Sequence, residues 1–185
     1  MKIKITACTV IFIIFFMPFA SEAAVKRDSF RTITDMTGRK VEIPVSLSRV
    51  ALFGGPTGQI AYILGARKQL CAVTVAIRGS DLILAFDPSI RELPAPRSTS
   101  GHVNIEELLA ANPQLVIAGT FDGTIVEKKT NIPVAYTESN MDHGIDLLKR
   151  EIRFYADVFQ KQSRADKYID YLDKTISFIK SRTKD

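Results

Sequence analysis

The chain has 185 residues, 46% hydrophobic and 24% charged, with a formal net charge of +5 at pH 7. That balance suits one globular core and excludes a low-complexity chain. The positive residues are scattered among acids, which argues for a solvated surface and against a nucleic-acid patch.

The amino terminus reads as an export signal. Met1-Lys2-Ile3-Lys4 is short and basic, Ile5 to Ala20 is almost wholly apolar, and Ser21-Glu22-Ala23 places small residues at −3 and −1 of a cleavage site. Cleavage after Ala23 predicts a mature chain that starts at Ala24, carries a net charge of +4 and resides in the periplasm. A retained membrane anchor is the competing reading, although the apolar run is short of the roughly 20 residues that span a bilayer. Ile5-Thr6-Ala7-Cys8 comes too early in the chain for a lipoprotein box. Cys71 is then the lone cysteine of the mature chain, in an apolar run that predicts a buried thiol.

Further along, Arg31 to Thr34 and Lys40 to Ile43 alternate as strands around the turn residues Asp35-Met36-Thr37-Gly38, predicting a hairpin. Val50 to Phe53 predicts a first buried strand. Gly54-Gly55-Pro56-Thr57 follows as a loop into a helix carrying Ile60, Ala61, Ile63 and Leu64, which Gly65 ends. Such a loop can hold an anion on exposed amides or serve simply as a tight turn; it lacks the Gly-Lys-Ser/Thr ending of a P-loop. Leu70 to Ile77 predicts the next strand, with an irregular stretch around Asp87-Pro88 and Leu93 to Pro96.

From Gly101 to Gly119 a whole αβ unit is legible. Asn104 is a helix N-cap with Glu107 at the capping-box position, and Ile105, Leu108 and Leu109 form an apolar face. Pro113 stops the helix, and Leu115 to Ala118 is a strand buried on both faces. Thr120 to Gly123 reads as a loop, Ile125 to Lys129 as a short helix and Ile132 to Tyr136 as a strand. Ile145, Leu148, Ile152, Tyr155 and Phe159 then fall at helical spacing. So do Ala165, Ile169, Leu172, Ile176 and Ile179, with room for a break near Gln160. The fold class is α/β: a Rossmann-like layered sheet with flanking helices, an N-terminal β-hairpin and a long C-terminal amphipathic helix.

Gly-x-Val-Asn-x-Glu-x-Leu-Leu-x-x-x-Pro-x-Leu-Val-Ile, from Gly101, resembles the signature of helical-backbone (class III) periplasmic solute-binding proteins of ABC importers. Thr34-Asp35-x-x-Gly38-Arg39-x-Val41-x-Ile43-Pro44 and Arg49-Val50 resemble that family's opening. Many members carry Asp after the proline where this chain has Gln114. The resemblance implies capture of a metal chelate (ferric siderophore, haem or cobalamin) and delivery to an ABC transporter permease, with no cofactor. It implies an N-terminal lobe over 24–143 and the start of the interlobe backbone helix over 144–185, with the C-terminal lobe absent.

Ligands of open α/β layers bind at the carboxyl ends of strands. The candidate ligand-binding residues are therefore Gly55, Thr57, Arg78, Arg97, His102, Asp122 and Tyr136. Arg78 and Arg97 can pair with carboxylates of an anionic chelate or lie on an ordinary surface. His102 can bind metal or merely bond its loop; His143 is weaker. Tyr136 can stack on ligand or pack at a strand end. Two histidines and no His-rich loop argue against a dedicated zinc receptor with several imidazoles, so no protein metal site is expected. The resemblance also implies a surface acid that meets the permease, and Glu92 is a candidate. No Gly-x-Ser-x-Gly, His-Glu-x-x-His or cysteine–histidine motif is present, which argues against an enzyme. An exported single-domain α/β enzyme and a non-transporting remnant are the alternatives. The apolar stripe of the last helix predicts self-association through that face.

Overall fold

The computed structural model describes residues 29–54, 57–137 and 144–183; nothing is described of the side chain of Thr57. The export segment and His143 lie outside these residues.

Strands β1 (Phe30–Thr34) and β2 (Lys40–Pro44) pair antiparallel, Ile33 facing Val41. Their alternation buries Ile33, Val41 and Ile43 and leaves Thr32, Thr34 and Glu42 exposed. The turn between them works because Gly38 takes a φ of 86°, which a side chain disfavours. Asp35, buried in that turn, accepts from Thr37 N, Thr37 Oγ1 and Arg39 N on Oδ1 and from Tyr136 N on Oδ2.

A parallel sheet follows in the order β4 (Leu70–Ala72), β3 (Val50–Leu52), β5 (Leu115–Ala118), β6 (Val134–Tyr136). All four strands are buried throughout, as expected when helices cover both faces. Val50, Leu52, Leu115 and Ile117 look into one apolar cluster with Ile60 and Leu64 of α1 (Thr57–Ile63) and its end. Ala51, Phe53, Val116 and Ala118 look into the other. Each fully buried Leu or Ile there stabilises the fold by about 1.5–3 kcal/mol.

The predicted strand over Leu70 to Ile77 is too long. It stops at Ala72 because Thr74 Oγ1 accepts from Ile77 N at 3.1 Å and caps α2 (Val75–Arg78). Helix α3 (Asp81–Phe86) and a 3₁₀ turn over Pro88–Glu92 fill the stretch read as irregular. That turn is clamped by Asp87. Its carboxylate accepts from the Tyr62 hydroxyl, from Arg67 Nε at 2.6 Å and from Ser89 N at 3.1 Å. Burial alone would raise the Asp87 carboxyl, but hydrogen bonds from Ser89, Tyr62 and Arg67 outweigh it and hold it at about 2. Burial and the bond to Asp87 push the Tyr62 hydroxyl up to about 12.

Unfolding returns Asp87 to an ordinary carboxyl near 3.8. Its stabilisation is therefore complete above that value and is lost as pH falls towards 2. Asp87→Asn should lower the urea midpoint near neutral pH, and the gap from the unsubstituted protein should close as pH drops from about 4 to about 2. A gap of constant size would show that the carboxylate charge contributes nothing to the clamp.

The αβ unit forms as its residues dictate. Asn104 Oδ1 accepts from Glu107 N at 3.1 Å and caps α4 (Ile105–Ala110); Asn112 takes a left-handed φ of 45° ahead of Pro113. Glu107 does not complete the capping box, since Asn104 N bonds Pro96 O and the Glu107 carboxylate accepts from Ala95 N at 2.9 Å. Gln114 Oε1 accepts from Ser48 N at 2.8 Å and Arg49 N at 3.1 Å, tying the entry of β3 to this unit.

Helix α6 (Ile145–Phe159) presents Ile152, Tyr155 and Phe159 to the same core as the strands. Its last carbonyls, those of Asp157 and Val158, accept from Arg31 Nη2, a cation suited to a helix carboxyl end. Gln160, at φ 56°, breaks the run, and α7 (Gln162–Arg182) starts beyond it. Along α7 the stripe opens outward: Ala165 and Ile169 are buried, Leu172 and Ile176 half-buried, and Ile179 exposed. Among the described residues, no helix is long and apolar enough to cross a membrane.

Candidate functional site

At the carboxyl ends of β3 and β4 lies a cleft of about 380 Å³. Phe53, Gly54, Gln59, Thr74, Ser80 and Arg97 are among the residues that line it. Gly54 continues β3, Gln59 projects from α1, and Thr74 and Ser80 are the residues just before α2 and α3. Open α/β sheets place ligands at this edge.

Arg97 comes from the segment that precedes α4. Backbone bridges to Thr74 and Val103 fix it, and Val75 N donates to its carbonyl at 3.1 Å. Its Nε donates to Asp122 Oδ2 at 2.8 Å. The Arg97 side chain is 28% exposed and that of Asp122 7%. Two acceptors at this edge have no hydrogen-bond partner: Asp122 Oδ1 and Gln59 Oε1, both buried.

Asp122 corrects one reading. Thr120 to Gly123 is not a loop but the first turn of α5 (Thr120–Lys129), which starts directly after Gly119. The turn is helical because Gly123 lets the backbone sit against Tyr136, where a Cβ would come within 2.2 Å of Tyr136 Cε1. Phe121 is left 73% exposed beside it.

The other candidates are dispersed. Arg78 lies at the end of α2, and among the described residues its guanidinium reaches only the Leu93 carbonyl, at 3.5 Å. His102 is exposed in a turn held by Ser98 N donating to its carbonyl and its own N donating to Ser98 Oγ. Tyr136 is engaged in packing: it is buried, its hydroxyl donates to Glu127 at 2.7 Å, and the Arg39 guanidinium stacks on its ring at 4.3 Å. Its ring is therefore not open to stack on a ligand. Burial would raise the Glu127 carboxyl, but hydrogen bonds from Tyr136 and Arg39 hold it below the usual range. Glu92 is exposed at the end of the Pro88–Glu92 turn. Gly55 lies outside the described residues, as does most of the Tyr136 to Met141 loop.

Sequence reading missed Gln59 and Thr74, and within residues 77–81 it singled out Arg78 where Ser80 lines the cleft. Thr74 alone carried a signal, since Thr three residues before Ile77 suits a helix cap. Cys71 is buried, and burial pushes its thiol up to about 11, which leaves it an inert packing group. Among the described residues, no group of three His, Cys, Asp or Glu side chains can hold a metal ion.

The arrangement has relatives. The molybdate-binding protein MolA of Haemophilus influenzae is 28% identical over 163 residues, which cover 75% of this chain and 46% of MolA. The structure of MolA bound to molybdate superposes with a TM-score of 0.70 at 26% identity, covering 82% of this chain and 53% of MolA. A periplasmic solute-binding protein of Veillonella parvula matches at 0.73 with 19% identity, over 83% of this chain and 48% of its own. The petrobactin-binding protein YclQ of Bacillus subtilis matches at 0.68 with 13% identity, over 83% and 53%, and so shares the fold. The chain thus spans about half the length of the relatives it matches. Residues 48–185 match the family model described as periplasmic binding protein. With these matches in hand, the chain belongs to the periplasmic binding protein family, in its helical-backbone class, a family of binding proteins rather than enzymes.

Proposed function

We propose that the protein is the solute-capturing component of an ABC importer, and that its ligand is an anion carrying a metal. A metal chelate of the ferric siderophore, haem or cobalamin kind is the first reading. The observation that supports it is Arg97, which lines the cleft while Asp122 engages only its Nε. Among the described residues, its terminal nitrogens make no hydrogen bond, and such a fork suits carboxylate and other paired oxygens. A bare oxyanion is the second reading, favoured by the similarity to MolA, which binds molybdate. Capture needs no covalent chemistry. Glu92, exposed at the end of the Pro88–Glu92 turn, remains the proposed contact for the permease.

Calorimetry against ferric petrobactin, haemin, cobalamin and molybdate should detect binding of at least one of them, and Arg97→Gln should weaken it about tenfold. Binding indifferent to Arg97, or none to any of the four, contradicts the proposal.

The outer half of α7 carries a second part of the proposal, association of two chains. Tyr171, Phe178 and Ile179 are exposed there, with Ile176 half-buried beside them. Replacing Ile176 and Ile179 together by Lys should abolish a dimer in sedimentation and leave the circular dichroism unchanged. An unfolded double variant would show instead that this stripe belongs to the core.

A further inference from the structure

We infer that Asp122 is a positioning residue: it fixes the Arg97 guanidinium so that only the edge with the two terminal nitrogens meets ligand. The inference rests on the proposed function and adds what the ligand must offer. Arg97 is held twice, by backbone bridges to Thr74 and Val103 and by the Nε bond to Asp122 at 2.8 Å. Asp122 is itself 5% exposed and anchored in the first turn of α5, so it cannot follow the guanidinium outward. With Nε engaged and the carboxylate behind it, the planar guanidinium keeps one free edge, formed by Nη1 and Nη2. That edge accepts two oxygens lying side by side in one plane. Carboxylate, hydroxamate and catecholate groups present such a pair, as does one edge of a tetrahedral oxyanion.

The charge balance gives the same selection. Arg97 and Asp122 together carry no net charge, so a lone negative charge gains little long-range attraction at this spot. A short, two-point hydrogen bond gains much more, because its geometry is set before the ligand arrives. The orphaned Oδ1 of Asp122 marks the cost of this one-point contact.

Two measurements on the full chain test the inference. The first needs no ligand: the Arg97 Nε–H resonance should be protected from solvent exchange, and Asp122→Ala should remove that protection. Asp122→Asn, which retains an acceptor oxygen, should restore most of it. An Arg97 Nε–H that exchanges as fast as a free arginine in the unsubstituted protein overturns the inference. The second is a titration with sodium molybdate and with a gallium(III) siderophore complex, a diamagnetic stand-in for the ferric chelate, followed by NMR. Asp122→Ala should weaken binding about tenfold in the native background and have no effect in an Arg97→Met background. Equal weakening in both backgrounds shows that Asp122 acts by another route and also overturns the inference. If Nε–H is protected but no residue of the cleft responds to either probe, the pair stands and the anionic-ligand reading fails.

Discussion

Asp35→Ala should be the most damaging polar substitution in the described chain, lowering stability by about 3 kcal/mol or more. The carboxylate is 4% exposed and satisfies four donors from two stretches of chain: Thr37 and Arg39 of the hairpin turn, and Tyr136 on the edge strand β6. Alanine would leave the Thr37, Arg39 and Tyr136 amides facing a cavity with no acceptor. The loss would not be confined to the turn, because Met36 N also donates to Tyr136 O at 3.1 Å and joins the hairpin to the sheet. A thermal midpoint lowered by about 6–12 °C would agree with this. A change under 2 °C, on the same scale, would mean that water replaces the carboxylate without penalty. Asp35→Asn should be milder, since one amide oxygen can still accept from the turn.

The second large effect is expected at Gly123. An added Cβ would lie 2.2 Å from Tyr136 Cε1 and 3.0 Å from Val134 Cγ1, and the aromatic ring has nowhere to yield. It is pinned by its hydroxyl to Glu127 and by the Arg39 guanidinium stacked over it. Gly123→Ala gains about 1 kcal/mol of helix propensity, yet overpacking costs about 1–3 kcal/mol and here falls at the high end. A net loss of roughly 2 kcal/mol is the expected result. Gly119→Ala makes the natural comparison, because nothing lies within 4 Å of the Cβ it would add and its φ is −66°. It should change stability by less than about 1 kcal/mol. If the two alanines behave alike, the contact between α5 and Tyr136 is looser than described.

The same pair of residues shows what a sequence can and cannot disclose. Asn104, Pro113 and the apolar run Leu115 to Ala118 act on neighbours within a few positions. The helix, its stop and the buried strand were therefore legible. The hairpin was legible for the same reason, through the alternation of Ile33, Val41 and Ile43. Gly123 looked like a loop residue because its reason for being glycine is Tyr136, thirteen positions away across the αβ layer. Glu107 looked like a capping-box acid, yet its carboxylate accepts from Ala95 N, a partner fixed only when the chain folds back. Gln114 departs from the acid common in the family, and its amide oxygen accepts from Ser48 N and Arg49 N. Its reach back over more than sixty positions is invisible to local pattern.

The candidate site follows the same rule. Arg97 was legible as a cation at a strand's carboxyl edge, but its partner Asp122, 25 positions on, was not tied to it by any spacing. Thr74 was hidden by the reading of Leu70 to Ile77 as one strand. Tyr136 offered an aromatic ring at the right edge, and only packing against α5 shows that the ring is already engaged.

We propose that solute meets this chain at the Arg97 cleft. Chemical-shift mapping with molybdate and a gallium(III) siderophore complex addresses it directly. Perturbations should centre on Gly54, Gln59, Thr74, Ser80 and Arg97, and Arg97→Gln should remove them. A second cleft of about 440 Å³, lined by Gly65, Lys68, Gln69 and Lys161 among others, provides the internal comparison. Perturbations confined to that cleft, or an unchanged spectrum with both probes, would contradict the account.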